Sequence, residues 1–200
     1  MKKQLFTIAF AVLSLALFAA QPIKVGEKAP SFSLKGVDGK TVSLSDYSNE
    51  KGVILIFTCN TCPVVVANED RIIALHNKFA SKGFPVVAIN SNDPGVSAGD
   101  SFDNMKVRAE EKSFPFPYLF DEQQAVLPTY GATRTPEVFL LKNKGDEFVV
   151  AYTGAIDDNA NNADDVEEKF LDNAINAVLA GNSPNPAVTK AVGCGIKVKK

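Results

Sequence analysis

One histidine, His76, and three cysteines leave the chain without the ligand spacing of a zinc finger. It contains no tryptophan. It also lacks a strong excess of either charge. The formal net charge is −2, and apart from Lys197, Lys199 and Lys200 the basic residues are dispersed, so nothing electrostatic points to nucleic acid as a partner. There is no internal repeat. Long apolar runs are confined to Leu5–Ala20, which follows the basic Met1-Lys2-Lys3 and ends on the small residues Ala19 and Ala20. That is the pattern of a secretory signal peptide, assigned to residues 1–20. An uncleaved anchor is the alternative, because the run is about the minimum length for spanning a bilayer. No cysteine lies near the cut, which argues against a lipid-modified N-terminus. The mature chain is therefore expected outside the cytoplasm, in a periplasm or equivalent compartment where disulfides persist, with no stable membrane span after cleavage.

What is present is a composition ordinary for one soluble domain, with 46% hydrophobic and 22% charged residues. The expected domain spans residues 24–181, followed by a tail over 182–200. The chain is organised around Thr58-Cys59-Asn60-Thr61-Cys62-Pro63. An unbroken apolar run, Val53–Phe57, precedes this segment and predicts a strand buried on both faces. After it, Val65, Ile72, Leu75 and Phe79 mark one face of a helix, with Pro63 tolerated in its first turn. Cysteines three apart at a helix start lie one above the other, close enough for a disulfide. The helix terminus is expected to lower the pKa of the first thiol, while neutral Asn60 and Thr61 add no charge.

Alternation in Ala29–Leu34 and Thr41–Leu44 predicts an N-terminal β-hairpin across Gly36–Lys40. Phe84–Ile89 predicts a strand parallel to Val53–Phe57, and a helix carrying Phe102, Met105 and Ala109 is expected next. Phe114–Phe120 is expected as an extended edge segment, and Glu122–Leu127 as a short helix ended by Pro128. Glu137–Leu141 and Phe148–Tyr152 predict a second hairpin, Ile156–Asp165 a mobile acidic loop, and Val166–Val178 a final amphipathic helix.

Ala29-Pro30-x-Phe32-x-Leu34, Asp38-Gly39-Lys40, a strand running into CxxC, and Thr135-Pro136 before a strand together resemble the thioredoxin-like superfamily. The closer likeness is to its redoxin branch, the alkyl hydroperoxide reductase/thiol-specific antioxidant type. The resemblance implies an α/β fold: a thioredoxin-like three-layer sandwich with a central mixed sheet flanked by helices, an N-terminal β-hairpin and an inserted helix before the cis-proline strand. It implies that Pro136 is cis and faces the cysteines, so that the Thr135 backbone pairs with an extended substrate segment. Two departures stand out. Thr58 replaces the usual tryptophan, and Val53–Phe57 lacks the buried acid that often serves the second cysteine. Glu69 and Glu137 are near enough in sequence to replace it, but read more simply as surface or strand-end charges.

The function expected is thiol–disulfide exchange with protein thiols and disulfides, with Cys59 as nucleophile and Cys62 resolving. An upstream thiol reductant or oxidant would complete the cycle, and no cofactor or metal is implied. The alternative is a thiol peroxidase acting on hydroperoxides through Cys59. For that reading Thr58 has the wrong spacing, and Arg134 is the feature in favour. Copper handling is a third class, but its distal histidine has no counterpart beyond His76, read as a packing residue. Cys194, between Gly193 and Gly195, is read as an idle thiol in a docked tail, with exchange against the CxxC as the other reading.

Overall fold

The computed structural model describes residues 22–145 and 147–200, so the signal-peptide reading of residues 1–20 lies outside the described residues. Among the described residues no helix is long and apolar enough to cross a membrane. The elements in chain order are β1 (Ser33–Gly36), β2 (Thr41–Ser43), β3 (Gly52–Thr58), α1 (Pro63–Phe79), β4 (Val86–Asn90), α2 (Phe102–Glu111), β5 (Tyr118–Phe120), α3 (Leu127–Tyr130), β6 (Arg134–Thr135), β7 (Glu137–Asn143), β8 (Phe148–Gly154), α4 (Phe170–Leu179) and β9 (Cys194–Gly195).

Seven strands form one mixed sheet in the order β2-β1-β5-β4-β3-β7-β8. β3 is parallel to β4 and antiparallel to β7, and every residue of β3 is buried. Its alternation divides the core. Ile54 and Ile56 face α1, α2 and α4, while Val53, Leu55 and Phe57 face the N-terminal segment and α3. This is the thioredoxin-like α/β arrangement, a mixed sheet flanked by helices, with the β1–β2 hairpin added through β5.

Four local expectations are corrected. The extended segment at Tyr118–Phe120 lies inside the sheet, because β1 pairs with its outer side. Pro128 opens α3 rather than ending a helix, since a first-turn residue has no intrahelical N–H bond to lose. The buried Asp121 carboxylate instead takes the N–H groups of Ala125, Val126 and Leu127. The acidic loop after β8 is tied down: Arg71 on α1 donates to Asp157 at 2.6 Å and to the carbonyl of Asn159 at 2.7 Å. The final helix begins at Phe170, leaving Val166 outside it.

Candidate functional site

β3 ends at Thr58, which pairs with Asn90 of β4, and the chain turns through Cys59-Asn60-Thr61 before Pro63 starts α1. Cys62 is the N-cap in extended backbone, so both sulfurs sit at the head of the helix. Cys59 and Cys62 are each about 3% exposed.

The turn is held by a residue the sequence did not single out. Asp100, fully buried, accepts from the Asn60 N–H at 2.6 Å, the Thr61 hydroxyl at 2.8 Å, the Ser97 hydroxyl at 2.6 Å and Asn92 Nδ2 at 2.9 Å. Asn60 also donates from Nδ2 to the Gly99 carbonyl and accepts from the Tyr118 hydroxyl, both at 2.9 Å. The two middle residues of the motif thus work as anchors. The available signal was the Asn-, Asp- and Ser-rich stretch after β4, a composition suited to side-chain-to-backbone bonding.

Opposite the cysteines lies Thr135-Pro136, whose peptide bond is cis as the resemblance implied. The Thr135 hydroxyl is 3.3 Å from Cys59 Sγ, and its carbonyl oxygen is 3.4 Å from Cys62 Sγ. Its backbone edge is occupied: β6 pairs antiparallel with β9, placing Thr135 against Cys194 and Arg134 against Gly195. Cys62 is disulfide-bonded to Cys194, with their Cα atoms 5.9 Å apart, and Cys59 is the free thiol. The structure differs here from the expectation of a Cys59–Cys62 pair and an idle Cys194. The tail folds back along β6 and brings Cys194, 132 residues away in sequence, to the motif. As a disulfide sulfur, Cys62 Sγ carries no proton, so its approach to the Thr135 carbonyl is a contact rather than a hydrogen bond.

Burial pushes the Cys59 thiol above its ordinary pKa, and the nearby Asp100 charge adds to this. The Thr135 hydroxyl and the N–H groups of Cys62 and Thr61 pull the other way without prevailing. The helix terminus therefore does not produce the acidic thiol expected from sequence, because desolvation of the thiolate outweighs it. A raised pKa means that native protein keeps this proton longer than unfolded chain, so thiolate appears only as pH climbs past the free-cysteine value of about 8.5. Iodoacetamide labelling of Cys59 in the oxidised protein is expected to keep accelerating through pH 9. A plateau below pH 7 would contradict this.

The remaining residues singled out from sequence fall as follows. Thr58 is buried and, with Cys59, Glu69 and Tyr118, lines a cavity of about 10 Å³, room for one water. Arg134 is exposed and donates from Nη1 to the Gly193 carbonyl at 2.9 Å, so it holds the tail. Glu137, at the strand end, accepts the N–H groups of Thr133 and Arg134. His76 accepts the Val86 N–H at 3.2 Å and packs against Phe116, the packing role read from sequence. Glu69 corrects its expectation. It is 2% exposed rather than a surface charge, gripped by Arg108 at 2.7 and 2.6 Å, with Lys112 at 3.5 Å.

The Redoxin family model matches residues 24–175. The chain belongs to the Redoxin family. Among curated proteins it is similar to the thiol-disulfide oxidoreductase ResA of Geobacillus thermodenitrificans, 28% identical over 158 residues that cover 72% of this chain and 86% of the relative. Two solved structures share its shape over nearly the whole length. A hypothetical protein from Sinorhizobium meliloti 1021 is 30% identical with a TM-score of 0.82, covering 90% of this chain and 97% of that one. A conserved protein from Geobacillus kaustophilus is 36% identical with a TM-score of 0.81, covering 88% and 93%. The redoxin resemblance drawn from the CxxC and Thr-Pro segments is thereby shown.

Proposed function

We propose that this redoxin is an extracytoplasmic thiol–disulfide oxidoreductase that exchanges disulfides with protein partners, with Cys59 as nucleophile and Cys62 as resolving cysteine. The oxidoreductase class is supported by the family and by the curated relatives. The observation that carries the roles is the joint position of both sulfurs at the head of α1, each against Thr135, beside a backbone edge able to hold an extended segment.

The reductive direction starts from protein whose Cys62 is a free thiol. The Cys59 thiolate attacks a partner disulfide, a Cys59–partner bond forms, and the partner's second sulfur leaves as thiolate and takes a proton. Cys62, deprotonated, then attacks Cys59 Sγ and releases the partner as a dithiol. The partner gains two electrons, and the Cys59–Cys62 disulfide is left for an upstream thiol reductant. The opposite direction runs the same bonds backwards. The setting outside the cytoplasm rests on the pattern of residues 1–20 and on a tail tethered through a disulfide.

Wild-type protein recovered from the cell envelope, with residues 1–20 removed, is expected to reduce an insulin-type protein disulfide. Cys59→Ser should lower that rate by about 100-fold or more, and Cys62→Ser should accumulate a trapped mixed disulfide. Full activity in Cys59→Ser would remove Cys59 from the mechanism, and recovery of the intact chain in the cytoplasm would remove the location.

A further inference from the structure

The tail is placed as a substrate would be. β9 lies antiparallel on the Thr135 edge, Gly193 packs against the Thr135 carbonyl, and Cys194 offers its sulfur to the motif. A free thiol, Cys59, stands in the same small cluster as the Cys62–Cys194 bond, with Thr135 touching both motif sulfurs. We propose that Cys194 is a third exchange cysteine on a tethered substrate mimic, and that the disulfide moves between Cys62–Cys194 and Cys59–Cys62. This rests on the thiol–disulfide reading of the site.

The step is an internal exchange without net oxidation. The Cys59 thiolate attacks Cys62 Sγ, the Cys59–Cys62 bond forms and the Cys62–Cys194 bond breaks. Cys194 leaves as thiolate and is protonated, while Cys59 has given up its proton, so protons and electrons balance. A partner segment can take the Thr135 edge once β9 has left it, because one backbone edge pairs with one strand at a time.

The structure favours a segment that opens locally over a rigid staple. The tail is fastened on both sides of the cysteine: Ala187 and Thr189 bond to Thr153 on β8, and Ile196 and Lys197 bond to Thr133 and Asn92. Gly193 and Gly195 flank Cys194 between these anchors, giving it backbone freedom. The second anchor also touches the motif's support. Lys197 N–H donates to Asn92 Oδ1 at 2.8 Å, and Asn92 Nδ2 donates to Asp100, the clamp on Asn60 and Thr61. The docked tail and the geometry of the turn are thus joined by one chain of hydrogen bonds.

The test reads which thiol is free in oxidised protein. Full-length mature protein is oxidised, held at pH 8.5, quenched with acid, unfolded and alkylated, and the label is mapped by peptide mass. Exchange predicts label divided between Cys59 and Cys194, whereas a static staple predicts label on Cys59 alone. Gly193→Ala keeps all three thiols but puts a methyl group into the Thr135 carbonyl, so it should move label toward Cys194 by several-fold. It should also raise protein-disulfide reductase activity. Cys59→Ser should hold only Cys62–Cys194 and show no label on Cys194. Label confined to Cys59 in both wild type and Gly193→Ala would overturn the proposal. Because the partition is read without any substrate, it stands or falls separately from insulin reduction by wild type and Cys59→Ser.

Discussion

Asp100→Ala is expected to destabilise the protein by about 3 kcal/mol and to lower exchange activity, although Asp100 itself forms no bond to sulfur. The carboxylate takes four hydrogen bonds at zero exposure, and its removal strands the Asn60 N–H and Asn92 Nδ2 in the interior. Each buried donor left unpaired costs about 1–3 kcal/mol, whereas the Thr61 and Ser97 hydroxyls can turn toward water. Asp100→Asn retains an oxygen for Asn60 and should cost about half as much. Thiol acidity separates the charge from the clamp. Asp100 is one of the groups pushing the Cys59 thiol upward, so removing its charge in either variant should move the onset of Cys59 labelling to lower pH. Urea midpoints read the first effect and the pH profile of alkylation the second. An unfolding free energy within about 0.5 kcal/mol of wild type in Asp100→Ala would show that the turn is held by something else.

That dependence on a residue 40 positions away illustrates which parts of the site the sequence carries openly. Local patterns were legible: the apolar run of β3, the CxxC at its end, the α1 face through Val65, Ile72 and Phe79, and Thr135-Pro136 through its likeness to redoxins. Each of these is written in adjacent residues or at a helical period. Partnerships across the fold were less so. Asp100 ends a three-residue 3-10 turn, Ala98–Asp100, in a polar stretch whose residues would read the same whether they faced water or a buried turn. Cys194 reaches Cys62 only because the tail pairs with β6, and a two-residue strand leaves no periodic signal. The inner place of Tyr118–Phe120 is hidden for a related reason: the two prolines lie just before the strand, and β1, pairing Gly36 with Leu119 and Lys35 with Phe120, arrives from far upstream to cover its open side. The acidity of Cys59 departs from expectation because helix-terminus electrostatics is visible in the sequence and depth of burial is not.

The burial of Glu69 does have a readable signal in the sequence. It falls four residues after Val65 and three before Ile72, on the buried stripe of α1, where a lone carboxylate calls for a cation. Arg108 of α2 supplies it through two short parallel bonds, a geometry that a lysine cannot reproduce. Arg108→Met keeps the apolar stem but leaves Glu69 with Lys112 alone, 3.5 Å away. The expected loss is about 3 kcal/mol, because an uncompensated buried charge costs more than the intact pair contributes. For a domain of this size that corresponds to a fall in Tm of about 6–12 °C. The double variant Glu69→Leu/Arg108→Met removes both charges and should recover most of the deficit, to within about 1 kcal/mol of wild type. Calorimetry on the two single variants and the double gives the coupling directly. Arg108→Met as stable as wild type would mean that water reaches Glu69, and that the link between α1 and α2 behind Cys59 is carried by apolar packing.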